Sequence, residues 1–103
     1  MQSTKASLRY AKAVFEIAQS KSVEDQVFKD LSAIRDEINR KKELFYLIKD
    51  PTIKCQNKIK LFKKVFETKT HPLTMQFLTL VLTKNREFQL TQIIDKYEEI
   101  YNK

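Results

Sequence analysis

No glycine occurs anywhere in this chain of 103 residues, and proline occurs only twice, at Pro51 and Pro72. Tight hairpin turns lean on glycine to reach positive φ. Loops that cradle phosphates need glycine wherever the backbone approaches the ligand closely. The composition therefore excludes a phosphate-binding loop and a dinucleotide fingerprint, and it argues against a turn-rich β architecture. It favours helices joined by short connections, an all-α, six-helix bundle in a single domain. The length is near the mode for one domain. No apolar run approaches the ~20 residues of a membrane span, and Met1–Ser7 lacks the apolar core of a signal peptide. Cys55 is the only cysteine, so no internal disulfide is available, which fits a reducing compartment. These features place the protein in the cytosol or on the cytosolic side of a larger assembly.

Periodicity divides the chain into six helical segments. The first begins near Ser3–Ser7 and ends near Lys21–Ser22. The second starts at Ser22 or Val23, has Glu24 and Asp25 at the positive end of its dipole, and carries Val27, Phe28, Leu31, Ile34 and Ile38 as one narrow stripe. After a connection at residues 40–42, a short helix over Glu43–Lys49 is stopped by Asp50-Pro51, because the residue before proline avoids the helical region. Asp50 or Thr52 is expected to cap a fourth helix that runs to about Glu67. Its inward residues are Ile59, Phe62 and Phe66, with Lys54, Lys58, Lys60, Lys63 and Lys64 on the rest of its circumference. Pro72 suits the first turn of a fifth helix, Leu73 to about Asn85. A sixth begins near Leu90 and carries Ile93, Ile94, Tyr97, Ile100 and Tyr101.

Two of these helices carry too much apolar surface. Around the first, Leu8, Ala11, Phe15 and Ala18 lie together, and Val14, Tyr10, Ile17 and Ala13 extend the arc on one side. At about 100° per residue the apolar arc spans about 220°, whereas a surface helix needs little more than about 100°. The fifth helix repeats the excess, with Met75, Leu78 and Leu82 on one side and Val81, Phe77 and Leu80 on the other. Either both helices are buried centrally, or they lie side by side and form an apolar groove for a partner helix.

The charge is equally uneven. Residues 40–69 hold ten Lys/Arg against Glu43, Asp50 and Glu67, so the whole net charge of +7 lies in this stretch. A solvated lysine face is the simple reading; a small basic helical nucleic-acid-binding domain is the alternative, and it would bind with an affinity that falls steeply with salt. No catalytic constellation is present. His71 stands alone in an expected loop, without Cys or His neighbours at ligand spacing, so no metal site and no cofactor is expected. Cys55 reads as a small buried or half-buried residue. The adjacent pairs Asp36-Glu37 and Glu98-Glu99 point away from each other on a helix, so they are not an acid–base dyad. An enzyme is not expected.

Two segments resemble one family. Arg9-Tyr10-Ala11-Lys12-Ala13-Val14-Phe15-Glu16-Ile17-Ala18 is similar to the opening helix of the delta subunit of bacterial F-type ATP synthase, the oligomycin-sensitivity-conferring protein of mitochondria. Phe77-Leu78-Thr79-Leu80-Val81-Leu82-Thr83-Lys84-Asn85-Arg86 is similar to that family's Phe-Leu-x-Leu-Leu-x-x-Asn-(Gly)-Arg signature. Many members place glycine between the Asn and the Arg; here Arg86 follows Asn85 directly, and the turn has to be made without it. The resemblance implies a six-helix N-terminal domain that sits on the F1 head and holds the N-terminal helix of an F1 alpha subunit in a groove between its first and fifth helices. By position, Tyr10, Ala13, Val14 and Ile17 line that groove on one side, and Phe77, Leu80, Val81 and Lys84 on the other. Ala11, Phe15, Ala18, Leu78 and Leu82 face the core. It further implies a non-catalytic, peripheral-stalk role at the cytoplasmic face of the bacterial cell membrane, with no direct membrane insertion and no nucleic acid. The b subunits of the stalk would attach through a C-terminal domain absent from this chain.

Overall fold

The structure, a computed structural model, describes residues 5–103. Among these it has six α-helices and no strand: α1 (Lys5–Ser20), α2 (Glu24–Arg40), α3 (Lys42–Lys49), α4 (Cys55–Phe66), α5 (Pro72–Thr83) and α6 (Leu90–Tyr101), with a 3-10 turn at Glu87–Gln89 leading into α6. The all-α expectation holds. An α1 start earlier than Lys5 lies outside the described residues.

Two connections solve the problem of turning without glycine in the same way. Ser22 and Asn85 adopt left-handed φ values of 58° and 57°. After α1, the Val23 amide donates to Ala18 O at 2.9 Å and the Ser22 amide to Gln19 O at 3.1 Å. After α5, the Arg86 amide donates to Val81 O and the Asn85 amide to Leu82 O, both at 3.0 Å. Both are Schellman caps, which usually place glycine at the left-handed position. Asn85 thus does what the family's glycine was expected to do.

The start of α5 is tied to α2. Pro72 occupies the first turn, where its missing N–H costs nothing. His71 is the cap, its Nδ1 accepting from the Leu73 amide at 3.0 Å. It is therefore a half-buried structural residue, not a solvated loop side chain. The buried Asp30 carboxylate of α2 accepts from the His71 amide and the Thr74 hydroxyl, each at 2.8 Å, and from Gln26 Nε2 at 2.9 Å. With several donors satisfying it, the carboxylate can stay in the interior.

The core lies where α1 packs along α6, α2 crosses α6 and α4 packs along α5. Tyr97 of α6 is fully buried at its centre. Its hydroxyl donates to Glu24 O at 2.9 Å, and its ring meets Phe15 edge-on at 5.6 Å. On the outer side of the α2–α6 contact, Arg35 bridges Glu98 at 2.6 Å and Asp95 at 2.9 Å.

Two expectations are corrected. The fourth helix begins at Cys55, not at Asp50 or Thr52; Asp50 Oδ1 instead accepts from both the amide and the hydroxyl of Thr52. That local closure spends the carboxylate on a tight turn, and the cap position moves on to Lys54. Lys58 is not on the solvent face. It is buried, donating to Glu87 Oε2 at 2.6 Å and to Ile48 O at 3.2 Å. Its partners come from α3 and the 3-10 turn, so the ammonium joins three segments.

A candidate helix-docking groove between the first and fifth helices

The helical repeat sets two matching stripes. On α1, Tyr10, Ala13, Val14 and Ile17 fall at i, i+3, i+4 and i+7; on α5, Leu73, Gln76, Phe77 and Leu80 do the same. Side chains at these offsets share one face. These eight residues line one elongated recess of about 190 Å³. Each wall spans two turns, about 10 Å at about 1.5 Å rise per residue.

The depth of the recess follows from the angle of each side chain. Val14, Phe77 and Leu73 are buried and form the floor. Tyr10 is half-buried, and Ala13 and Gln76 are exposed at the edges. Ile17 and Leu80 stand on opposite walls, 46% and 44% exposed. Gln76 and the Tyr10 hydroxyl supply the polar groups of the lining, and no charged side chain lines it. Leaving two large aliphatic side chains nearly half in water, at about 25 cal/mol per Å² of apolar surface, is a stored driving force for anything that covers them. α1 and α5 are not closely packed helix on helix; their tight neighbours are α6 and α4 respectively. This separation holds the recess open.

Of the eight sequence-derived groove residues, six come together here: Tyr10, Ala13, Val14, Ile17, Phe77 and Leu80. Val81 does not. It is fully buried, because it lies only about 60° round the helix from Leu78, the centre of the core face, while Leu80 lies about 160° away. Lys84 is exposed beyond the α5 wall, one turn past Leu80, and does not line the recess. Leu73 and Gln76 were missed, although Leu73 precedes Phe77 by four positions and Leu80 by seven. Of the residues assigned inward, Ala11, Ala18, Leu78 and Leu82 are buried and Phe15 is half-buried.

Chemically the recess offers shape and apolar area. Among the described residues no group of three or more His, Cys, Asp or Glu side chains could hold a metal ion, and no helix is long and apolar enough to cross a membrane. The half-buried Cys55 thiol is engaged, donating to Leu82 O at 3.2 Å.

The family model described as ATP synthase delta (OSCP) subunit matches residues 6–103. The ATP synthase subunit delta of Flavobacterium psychrophilum is 35% identical over 102 residues, covering 99% of this chain and 57% of that protein. The subunit of the same name from Chlorobium phaeobacteroides is 31% identical over 100 residues, covering 97% and 56%. That from Clostridium beijerinckii is 34% identical over 92 residues, covering 89% and 51%. The chain spans about half the length of the curated relatives it matches.

Proposed function

The chain belongs to the ATP synthase delta (OSCP) subunit family, and from that premise we propose that it is a non-catalytic stator element that holds the N-terminal helix of an F1 alpha subunit in the α1/α5 groove. A rotary synthase needs such a part. The turning central stalk drags on the catalytic head, and torque becomes ATP synthesis only if the head is held still. The protein would work at the cytoplasmic face of the bacterial cell membrane without inserting into it. The b subunits of the peripheral stalk would attach through a further domain, outside these residues.

The observation that carries this reading is the pair of facing i, i+3, i+4, i+7 stripes around one open apolar recess. A helix laid into such a groove inserts side chains at the same offsets. The partner segment loses conformational freedom when it docks, so a groove already built on two rigid helices limits the ordering cost to one side. Burying Ile17 and Leu80 contributes hydrophobic free energy, and the lack of charge on the walls means that no ion has to be desolvated.

The test is a titration of this chain with a peptide of the alpha-subunit N-terminus, followed by calorimetry. Ala13 is exposed at the edge of the recess, so Ala13→Asp leaves the fold intact while placing a carboxylate against the incoming helix. Affinity is expected to fall by about 30-fold or more, the equivalent of about 2 kcal/mol. Unchanged affinity in a folded Ala13→Asp variant would sink the groove assignment. Duplex DNA titrated over a range of salt serves as the control for the basic nucleic-acid reading.

A further inference from the structure

Three of the polar side chains on α5 are engaged within the protein. The Thr74 hydroxyl donates to Asp30 Oδ2 at 2.8 Å, the Thr79 hydroxyl to Met75 O at 2.9 Å and the Thr83 hydroxyl to Thr79 O at 2.7 Å. The remaining one, the Gln76 carboxamide, is exposed and makes no hydrogen bond among the described residues. It stands in the lining of the α1/α5 groove beside Leu73, Phe77 and Leu80. On its other side it borders a recess of about 450 Å³ towards α4, so it forms the ridge between two concave surfaces. The half-buried Tyr10 hydroxyl on the facing wall likewise makes no hydrogen bond among the described residues.

An exposed carboxamide is hydrated at no cost in the free protein. A helix laid across Ile17 and Leu80 displaces water from its groove side, and a polar group covered without a replacement partner weakens binding about tenfold. A hydroxyl rotates to suit many partners, but a carboxamide holds its donors and its acceptor at different ends and therefore discriminates. Resting on the groove reading above, we propose that Gln76 is a specificity-determining residue: it pairs with an uncharged hydroxyl or amide side chain that the docked alpha-subunit helix carries among its apolar anchors, and so fixes the register of that helix.

Apolar walls alone do not set a register. Hydrophobic contact is non-directional, so a helix that slips by one turn, about 5.4 Å, still meets apolar ground. The same slip carries its polar side chain away from Gln76 and leaves both groups unpaired. The walls attract a helix, and Gln76 selects one seating of it. A charged partner side chain fits less well, because no charged side chain lines the groove to neutralise it.

The experiment uses the full chain and the alpha-subunit N-terminal peptide, with peptide variants in which each uncharged polar residue is replaced in turn by leucine. Gln76→Leu is expected to leave the unfolding midpoint in place and to weaken the parent peptide about tenfold. One peptide replacement should weaken binding to the wild type by a similar factor, yet be neutral or favourable on Gln76→Leu, a coupling that independent sites do not show. In the wild-type complex the Gln76 side-chain amide protons should shift and exchange more slowly with water. Parent affinity unchanged or raised in Gln76→Leu, or the same loss for every peptide variant on both chains, would overturn the inference. So would side-chain amide protons that exchange as freely in the complex as in the free chain. Leu80→Ser and Ala13→Asp separate the two kinds of failure. If they weaken the peptide and Gln76→Leu does not, the groove stands and only the role of Gln76 falls; if they do not, the groove reading fails and this inference with it.

Discussion

Lys58 Nζ lies 2.6 Å from Glu87 Oε2 with both side chains out of water, 3% and 10% exposed, across 29 positions of sequence. Two charges taken out of water lose hydration that their mutual attraction only partly returns. Removing one partner leaves the other buried and uncompensated. Lys58→Met is therefore expected to cost about 3–5 kcal/mol in urea unfolding, and Glu87→Leu a similar amount. The double variant should recover most of that loss, because neither charge remains. Single losses below about 1 kcal/mol would show that water reaches the pair in solution.

Ser22 and Asn85 hold left-handed backbone without being glycine. For a residue with a Cβ that conformation costs about 1–2 kcal/mol, less for asparagine, while glycine adds about 0.5–1 kcal/mol of unfolded-state entropy. Ser22→Gly is thus expected to stabilise by up to about 1 kcal/mol, a rise of a few degrees in Tm. Asn85→Gly should gain less. A lower Tm for Ser22→Gly would contradict the cap geometry.

Burial pushes the Tyr97 hydroxyl well above the ordinary tyrosine value of 10.0, and the nearby Glu24 charge adds to it. The unfolded chain releases this proton near pH 10, while the native state keeps it. Above that pH the native state binds more protons, so this contribution is complete below about pH 10 and is lost as pH rises further. Tyr101 shifts the same way through its hydrogen bond to Asp25. Tyr97→Phe is expected to flatten part of the alkaline loss of stability, read by urea midpoints across that range. At neutral pH it should cost about 1 kcal/mol, because Glu24 O loses its donor. An alkaline limb as steep as wild type would mean that Tyr97 is not the buried titrating group.

The features legible in sequence were those carried by repeating apolar offsets. The wide arcs of α1 and α5, and Pro72 in the first turn of α5, could be read because each depends on neighbours within two turns. What escaped depends on distant partners or on competition between local bonds. Position 58 precedes Phe62 by four and Phe66 by eight, so periodicity already put it on the inward face. Lysine argued for solvent, and only Glu87 and Ile48 O, brought in by the fold, resolve the conflict. Asp50 looked like a helix cap, but Thr52 captured its carboxylate first. Val81 was read as part of a stripe whose other members lie further round the helix, an error of angle and not of residue type.

That angle separates stability from binding on two adjacent residues. Leu80 is 44% exposed on the groove wall and Val81 is fully buried beneath it. Leu80→Ser removes apolar area that only a partner would cover, so its effect on unfolding is expected to stay within about 0.5 kcal/mol. Affinity for the alpha-subunit peptide should nevertheless fall about tenfold or more, because a central anchor is lost. Val81→Ala leaves a void among close-packed side chains and is expected to cost about 1–3 kcal/mol. Its groove wall stays intact, so peptide affinity should change little once the variant is folded. Denaturant unfolding and peptide calorimetry on the two variants give four numbers, and the expected pattern is crossed. If Val81→Ala weakened the peptide and Leu80→Ser did not, the face of α5 that meets the partner would have to be turned by one residue.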